Sequence, residues 1–430
     1  MKTFNLAIVG LGNIGTEVYK SLNKNKYIIQ KKTGFKLNIF KVSAKNYKKR
    51  RSIKIPKNKW EKNPLLLTKN KNIDIIIELV GGNKGIAKKL VFEALKNKKH
   101  VVTANKSLIA KYGDKLSILA EKNAVNLLFE ASVGGGIPII RSIKQGLIAN
   151  KIFHVYGILN GTTNYILSEM EDNNISFKDA LIKAQKLGYA ESNPSSDIKG
   201  TDAAEKISIL SSICFGCKIL NKGFIVEGIT NITIDDINFA KELGLKIKLL
   251  AISEKIGNYI KQRVHPCLIP SSLDIANING VINAIVVDGT PIGRTIYEGE
   301  GAGKGPTTSA IISDISSIMV GNDDFSFGHS PKTKKNFKRY NFNKHECKYY
   351  IRILVNDKKG VLSKIAMIFA RNNISVRNLV QKPKNNLSNI VVITHYAKEI
   401  NVIKAMKNFT KNKSIFKSAV LIRIRDQNKL

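Results

Sequence analysis

The chain has 430 residues, and its 71 Lys and Arg against 32 Asp and Glu give a formal net charge of +39. A hydrophobic fraction of 43% excludes an intrinsically disordered chain, and this length predicts about two to four domains. The lysines are spread along the whole sequence without a nucleic-acid-binding motif, so we interpret the charge as a bias at solvated positions and expect no nucleic-acid partner. The alternative, a nucleic-acid binder driven by charge, predicts an affinity that falls steeply with salt.

The sequence also lacks the features of membrane and secreted proteins. No stretch approaches the ~18 to 20 uninterrupted apolar residues of a membrane helix, and the N-terminus has no signal-peptide pattern. Cys214 and Cys217 form a C-x-x-C pair within an apolar run, while Cys267 and Cys347 are single and distant. We predict buried thiols rather than a redox or zinc site, in a cytoplasmic protein without a membrane partner.

The first predicted strand, "FNLAIVG", runs into a glycine-rich loop and then the helical segment "TEVYKSL". Gly10, Gly12 and Gly15 have the G-x-G-x-x-G spacing of a dinucleotide-binding loop, in which backbone N–H groups and a helix N-terminus approach a pyrophosphate. The alternative is a plain strand-to-helix turn. In this position the pattern predicts a nicotinamide dinucleotide cofactor.

The second predicted strand, "KLNIFKVS", indicates which dinucleotide is bound. No acidic residue that could bind a ribose 2′-hydroxyl lies between Glu17 and Glu61, whereas Lys45, Arg50 and Arg51 follow the strand. Cations there favour the 2′-phosphate of NADP, with NAD as the second candidate. The alternative is that these side chains are solvated surface.

Two further strand–helix pairs, beginning at "IDIIIELVGG" and "HVVTANK", complete an α/β pattern with parallel strands. We predict a Rossmann domain at residues 1–130, with a later helix near 306–320 that packs back on it. Thr103 and Lys106 lie at the carboxyl edge of this sheet, where ligands bind. The alternative for Lys106 is a surface lysine beside a helix.

The run "NLLFEASVGGGIPII" leaves the predicted Rossmann domain. Glu130 is followed by a glycine-rich turn at 134–136, which exposes carbonyl oxygens beside a carboxylate and so suits a hard cation. The alternative is a turn between domains. We predict an α+β domain at 131–321, a linker at 322–346 and a ferredoxin-like βαββαβ module at 347–430.

An acidic segment of this basic chain, "LGYAESNPSSDIKGTDAAEK", holds the main candidates for chemistry. By spacing, Asp202 and Glu205 predict a capping box, and Asp202 and Lys206 a helical ion pair. Glu191, Asp197 and Asp202 together, however, could hold a substrate ammonium group beside Lys206, which would exchange a proton during hydride transfer. We assign Glu205 only the capping role.

Extended to "AQKLGYAESNPSSDIKGTDAAEK", this segment resembles the signature of homoserine dehydrogenases. The matching positions are Ala184, Gly188, Tyr189, Pro194, Asp197, Gly200, Asp202 and Lys206. Nearly the whole chain shares the resemblance, through "GLGNIG", "TANK", "EASVGGGIP", "LNGTTNYIL" and "GAGKGPTTSA". It implies NADP-preferring interconversion of L-homoserine and L-aspartate 4-semialdehyde in threonine, methionine and isoleucine biosynthesis.

The resemblance also implies roles for individual residues. Lys206 would donate and accept the proton, with Lys106 as the rival, Glu191 would hold the substrate ammonium, and Asp197 and Asp202 would order substrate and lysine. Further NADP contacts would come from Asn13, Ile14 and Gly303. A sodium or potassium site would be formed by Glu130 and the carbonyls of Val133, Gly135 and Ile137.

The C-terminal segment "NDKKGVLSKIAMIFARNNIS" resembles an ACT domain, a module that binds small amino acids. The usual Asp-x-Pro-Gly turn is here Asp357-Lys358-Lys359-Gly360, without the stiffening proline. The resemblance implies threonine as an effector and a homodimer or homotetramer paired through residues 131–321. The alternative function is a catalytically inactive amino-acid sensor.

Overall fold

The computed structural model describes residues 1–322, 324–412 and 414–425. Position 323 of the predicted linker and positions 413 and 426–430 of the predicted C-terminal module lie outside the described residues. In the described ranges, no helix is both long and apolar enough to cross a membrane. The four cysteines are buried free thiols, and burial raises the pKa of Cys217 to about 11, which keeps this thiol protonated at neutral pH.

The N-terminal unit is a five-stranded parallel sheet in the order β2-β1-β3-β4-β5, as predicted for a Rossmann domain. Its strands are β1 (Thr3–Val9), β2 (Lys36–Ser43), β3 (Ile75–Glu78), β4 (His100–Thr103) and β5 (Leu127–Leu128). Its helices are α1 (Asn13–Lys24), α2 (Lys26–Thr33), α3 (Pro64–Lys69), α4 (Gly85–Lys96) and α5 (Lys106–Lys122). The strand order reverses at β1, so the carboxyl ends of β1 and β3 border the ligand-binding switch point.

The middle unit packs helices against an antiparallel sheet whose main strands have the order β11-β10-β6-β8-β9. Its strands are β6 (Lys151–Ile158), β7 (Ile225–Val226), β8 (Leu245–Ile256), β9 (Tyr259–Pro270), β10 (Ile282–Thr290) and β11 (Gly293–Glu300). Its helices are α6 (Ile139–Arg141), α7 (Gly161–Asn173), α8 (Phe177–Lys186), α9 (Ser195–Ile198), α10 (Thr201–Phe215), α11 (Ile234–Glu242) and α12 (Lys304–Met319).

Two of these helices join the middle unit to the N-terminal unit. Helix α10 is buried along most of its length and packs on β6, β8 and α5. Helix α12 packs on α1, where Ile311 and Ile315 share a hydrophobic cluster with Val18 and Leu22. The first turns of α10 and α12 thereby border the cleft between the two units.

The C-terminal unit has the predicted βαββαβ order of a ferredoxin-like module. Its elements are β13 (Glu346–Asn356), α13 (Val361–Arg371), β14 (Val376–Lys384), β15 (Leu387–Thr394), β16 (Ala397–Lys398), α14 (Glu399–Lys411) and β17 (Phe416–Ile424), and β12 (Lys338–Arg339) precedes them. Strand β17 pairs in parallel with β9, at Arg423 with Cys267 and at Ile424 with Leu268. The module therefore continues the middle sheet.

The predicted linker at 322–346 is packed against the rest of the protein over part of its length. Phe327 is fully buried, with its ring centroid 4.9 Å from that of Phe129. Lys334 Nζ lies 2.6 Å from Asp114 Oδ1. Polar composition predicted a spacer, but one buried aromatic ring and one ion pair anchor this segment to the core.

Candidate active site

The three glycines of the N-terminal loop meet different steric requirements. Gly10 has φ = +100°, and a Cβ there would lie 2.5 Å from the carbonyl carbon of Leu79. A Cβ on Gly15 would lie 1.9 Å from the carbonyl oxygen of Gly10, whereas one on Gly12 would meet nothing within 4 Å. Gly12 precedes α1, which begins with Asn13 and Ile14. The open side of the loop therefore faces a helix N-terminus, an arrangement that fits a dinucleotide pyrophosphate.

The loop after β2 contains the three basic residues that favoured NADP. The Arg51 guanidinium donates to the carbonyls of Leu11, Asn46 and Lys49, at 3.1, 2.6 and 2.8 Å. Arg51 therefore fastens this loop to the glycine-rich loop. Lys45 and Arg50 are exposed, so their cationic groups remain accessible to an anion.

At the carboxyl ends of β3 and β4, a buried carboxylate holds the edge of the cleft. Glu78 accepts hydrogen bonds from the N–H groups of Val80 and Gly81, at 2.8 and 2.9 Å, and from Thr103 Oγ1 at 2.6 Å. Thr103 Oγ1 in turn accepts from Asn105 N–H at 3.0 Å. The Thr103 side chain therefore fixes the start of α5. Its predicted role in cofactor binding rests on its position at the carboxyl end of β4.

The centre of the cleft is a carboxylate shared by two lysines. Asp202 Oδ1 lies 2.9 Å from Lys106 Nζ, and Asp202 Oδ2 lies 2.9 Å from Lys206 Nζ. Lys206 Nζ also donates to the carbonyl oxygen of Leu159 at 2.6 Å. Lys106 begins α5, while Asp202 and Lys206 lie in the first two turns of α10, so two domains supply this cluster.

An asparagine at the start of α7 connects the second carboxylate to this cluster. Asn160 Nδ2 donates to Asp197 Oδ1 at 2.7 Å and to Asp202 Oδ2 at 2.9 Å. The structure thus brings Lys106, Asp197, Asp202 and Lys206 together. Sequence reasoning assigned no role to Asn160, although it lies within the quoted segment "LNGTTNYIL".

Opposing effects set the charges in the cluster. Burial would raise the pKa of Asp202, but Lys206 and Lys106 outweigh it and hold this pKa well below its usual value. Burial likewise opposes the charge of Lys106, yet Asp202, Glu205 and Asp197 raise its pKa. Asp197 has a raised pKa because burial dominates and Asp202 adds repulsion. Asp202 is therefore the fixed anion of the site.

One sequence prediction for this region, the capping box, needs correction. Gly200 precedes α10 without a side-chain cap, so the capping box of Asp202 and Glu205 does not form. Glu205 instead accepts a 2.6 Å hydrogen bond from Ser107 Oγ and so links α10 to α5. Glu191 is exposed, and among the described residues its carboxylate has no hydrogen bond or ion pair. The structure does not bring Glu191 into the cluster.

The glycine-rich turn at 134–136 lies against a second glycine-rich turn. A Cβ on Gly135 would lie 2.5 Å from the carbonyl carbon of Gly301, and Gly303, at φ = +120°, precedes α12. Asn283 is fully buried next to Gly301, and neither polar atom of its amide has a hydrogen-bond partner in the described structure. Unsatisfied polar atoms of this kind suit an ion or water.

Backbone N–H groups fix the orientation of the Glu130 carboxylate. It accepts hydrogen bonds from the N–H groups of Ile140 and Arg141, both at 2.9 Å. Within the described ranges, no three His, Cys, Asp or Glu side chains are arranged to hold a metal ion. The carbonyl oxygens of Val133 and Gly135 accept no backbone hydrogen bond from a described residue. A cation here would take these carbonyl oxygens as ligands, and each Glu130 carboxylate oxygen, which accepts one N–H, keeps a further acceptor position.

Comparison with known proteins identifies the same three parts. Family models described as the NAD-binding domain of homoserine dehydrogenase, homoserine dehydrogenase and the ACT domain match residues 10–130, 138–316 and 349–409. Homoserine dehydrogenase of Helicobacter pylori is 41% identical over 429 residues, covering 98% of this chain and 99% of that protein. The Neisseria gonorrhoeae enzyme is 39% identical over 432 residues, covering 99% of each.

Solved structures show the same relationship. A homoserine dehydrogenase from Thiobacillus denitrificans superposes with a TM-score of 0.91 at 37% identity, covering 99% of each chain. A hyperthermophilic archaeal homoserine dehydrogenase, solved in complex with NADPH, has a TM-score of 0.62 at 25% identity and covers 73% of this chain and 97% of that one. The chain therefore belongs to the homoserine dehydrogenase family and is an NAD(P)-dependent oxidoreductase.

Proposed function

We propose that the protein interconverts L-homoserine and L-aspartate 4-semialdehyde, with NADP preferred over NAD and Lys206 as the proton donor and acceptor. The observation that carries this proposal is the buried Asp202 carboxylate, which forms ion pairs with two lysines. One of them, Lys106, belongs to the unit that contains the glycine-rich dinucleotide loop. A dinucleotide bound at the Gly10–Gly15 loop would supply the hydride transfer. The protein's own residues supply orientation, charge and the proton.

Lys206 has one N–H donor left for a substrate oxygen. An ammonium group has three N–H donors, and those of Lys206 toward Leu159 O and Asp202 Oδ2 use two. The third remains for the oxygen of the substrate, which gains a proton as the aldehyde is reduced and loses it in the reverse direction. Lys106 is half-exposed and its pKa is raised, so it is better suited to remain a cation that orients the substrate.

The substrate ammonium group would be held by two carboxylates, Asp197 within the cluster and Glu191 outside it. Asp197 is held by Asn160, which also holds Asp202. Glu191 lies on the exposed loop after α8 and would have to turn inward on substrate binding. This assignment follows the family resemblance, and the accessible Glu191 side chain is consistent with it.

A preference for NADP is supported by the cations at the end of β2. Lys45 and Arg50 are exposed on a loop that Arg51 ties to the carbonyl of Leu11 in the glycine-rich loop. That link would keep both cations on the side of the expected ribose, where they would pair with a 2′-phosphate. The archaeal relative solved with NADPH is a further support.

Replacement of both Lys45 and Arg50 by alanine is expected to reduce kcat/KM with NADP by roughly tenfold or more, because two charge-assisted contacts to phosphate are lost. With NAD the same variant should keep its kcat/KM, since NAD lacks that phosphate. Steady-state kinetics with both cofactors measure this. Lys32→Ala, at an exposed site on α2, is the matched control. Equal losses with NAD and NADP would contradict the assignment.

A sodium or potassium ion is proposed at the turn formed by Glu130, Val133, Gly135 and Ile137. The carbonyls of Val133 and Gly135 supply oxygen ligands, and the ion would hold this turn against the one at Gly301 and thus the start of α12. It therefore acts on the geometry of the cleft and not on the reacting atoms. Turnover that is unchanged when tetramethylammonium replaces both cations would contradict this proposal.

The C-terminal ACT domain is proposed to bind threonine at the loop before α13. The protein is proposed to be a homodimer or homotetramer, and sedimentation analysis would measure its oligomeric state. Asp357 in that loop accepts a 3.2 Å hydrogen bond from Ser388, and Gly360 has φ = +84° without the usual proline before it. We expect millimolar L-threonine to lower the rate of homoserine oxidation, with D-threonine as the control. An unchanged rate would make this domain structural.

The reaction itself is tested by cofactor reduction with L-homoserine, comparing NAD and NADP. In the cell it would serve threonine, methionine and isoleucine synthesis in the cytoplasm. The alternative, a catalytically inactive amino-acid sensor, is disfavoured because Lys106, Asp197, Asp202 and Lys206 form one connected cluster. Absence of turnover with either cofactor would favour that alternative.

A further inference from the structure

A cavity of about 360 Å³ lies between strands β8 and β9 of the middle unit and strands β13 and β17 of the C-terminal unit. We call it the interdomain cavity. Arginines from both sides line it: Arg263 on β9, and Arg423 and Arg425 at the end of the chain's last strand. None of its lining residues belongs to the candidate active site or to the loop before α13.

The three guanidinium groups differ in how far their charge is compensated. Arg423 is fully paired, with Glu227 at 2.7 and 3.0 Å and with Glu399 at 3.0 Å or less. Arg263 pairs through one nitrogen, Nη2, with Glu254 at 2.6 Å. Its Nε and Nη1 are buried without a partner among the described residues. Arg263 thus has two unused donors in a side chain that is only 9% exposed.

Arg425 has no carboxylate partner in the described structure. Its guanidinium carbon lies 3.7 Å from the centroid of the Tyr156 ring, and its Nη2 lies 3.4 Å from His154 Nε2. Nη1 is buried without a partner. A buried cation that rests on an aromatic face and a neutral ring keeps most of its charge uncompensated.

The remaining lining groups leave the cavity electropositive. Apart from Arg423, which Glu227 and Glu399 neutralise, the described lining cations are Arg263, Arg425, Lys261 and Lys344, and they face the carboxylates of Glu254 and Glu346. Burial together with Arg263 and Lys261 lowers the pKa of His345 to about 2, and burial together with Arg423 and Arg263 lowers that of His265. Both histidines are therefore neutral, because added positive charge is disfavoured there.

We propose that the interdomain cavity binds a small oxyanion, a carboxylate or a phosphate, through Nε and Nη1 of Arg263 and Nη1 of Arg425. Paired N–H donors of a guanidinium match the two oxygens of such a group. Because the two arginines come from different units, the bound anion would also hold the C-terminal unit on the middle sheet. The expected consequence is ligand-dependent stability of the junction between β9 and β17.

The test is isothermal titration of the full chain with sodium phosphate and, separately, with sodium succinate, at an ionic strength fixed with sodium chloride. Saturable binding of at least one probe is expected, and the arm that binds more tightly identifies the anion class. Arg263→Lys and Arg425→Lys keep the charge but lose the guanidinium donors, so each should weaken binding at least tenfold. Homoserine oxidation at the normal kcat verifies that each variant is folded.

Two outcomes would overturn the proposal. In the first, neither probe binds the full chain. In the second, both arginine variants bind the probe as tightly as the exposed-surface control Lys178→Gln. A chain that ends at Arg425 and retains homoserine oxidation separates two causes of the first outcome. If only this shortened chain binds the probes, the cavity of the full chain takes no free ligand.

Discussion

Lys206→Met is expected to lower kcat for homoserine oxidation by about 10²- to 10⁴-fold, the usual contribution of a positioned general acid or base. Methionine is similar in length and apolar, and Asp202 keeps Lys106 as a partner, so the fold should survive. Cofactor affinity should remain near that of the unchanged protein, because Lys206 lies with α10 and not with the glycine-rich loop. Steady-state kinetics and cofactor titration measure the two quantities.

Lys106→Met separates the two lysines. If Lys106 orients the substrate as a permanent cation, its loss raises KM for homoserine and also lowers kcat, whereas loss of Lys206 acts mainly on kcat. Lys178→Met, on the exposed face of α8, controls for removal of a lysine. Near-normal turnover of Lys206→Met, with a large kcat loss only in Lys106→Met, would transfer the proton-transfer role to Lys106.

Short-range spacing explains what could be predicted from the sequence. Gly10, Gly12 and Gly15 lie within six residues, so their roles follow from one strand-to-helix turn. Asp202 and Lys206 are one helical turn apart, which puts their side chains on the same face. The βαββαβ order of the C-terminal unit likewise follows from the local alternation of apolar patterns.

Contacts between distant segments could not be predicted in this way. Asn160 is 37 and 42 residues from Asp197 and Asp202, the two carboxylates that it connects. Ser107 and Glu205 are 98 residues apart, so the local capping pattern was the only visible signal for Glu205, and it was wrong. Contacts between side chains of two domains depend on how α5 and α10 pack. The hydrophobic periodicity within one helix does not contain that information.

Among the described residues, Asp202 has the only carboxylate that pairs with both lysines, and we expect the second large effect from Asp202→Asn. The substitution removes the ion-pair partner of the buried Lys206, and it places an amide in contact with Lys206 and Asn160, both of which are donors. Loss of one partner of a buried ion pair costs about 3 to 5 kcal/mol. A clear drop in Tm is therefore expected, together with a loss of turnover, because Lys206 is no longer held.

The pH dependence of the drop in Tm follows from the directions in which the pKa values of Asp202 and Lys106 are shifted. The pKa of Asp202 is lower in the folded protein, so its contribution to stability is full above the unfolded value of about 3.9 and disappears as the pH falls through the folded pKa. The pKa of Lys106 is raised, so its contribution is full below about 10.4 and is lost as the pH rises through the folded pKa.

The Tm difference between the unchanged protein and Asp202→Asn should therefore be largest between about pH 4 and pH 10 and should narrow on either side. Thermal melts at closely spaced pH values measure it, with Asp172→Asn at an exposed position of α7 as the control. A difference that stays constant into the acid range would mean that Asp202 contributes through shape and hydrogen bonding alone. Its negative charge would then be irrelevant to holding Lys106 and Lys206 together.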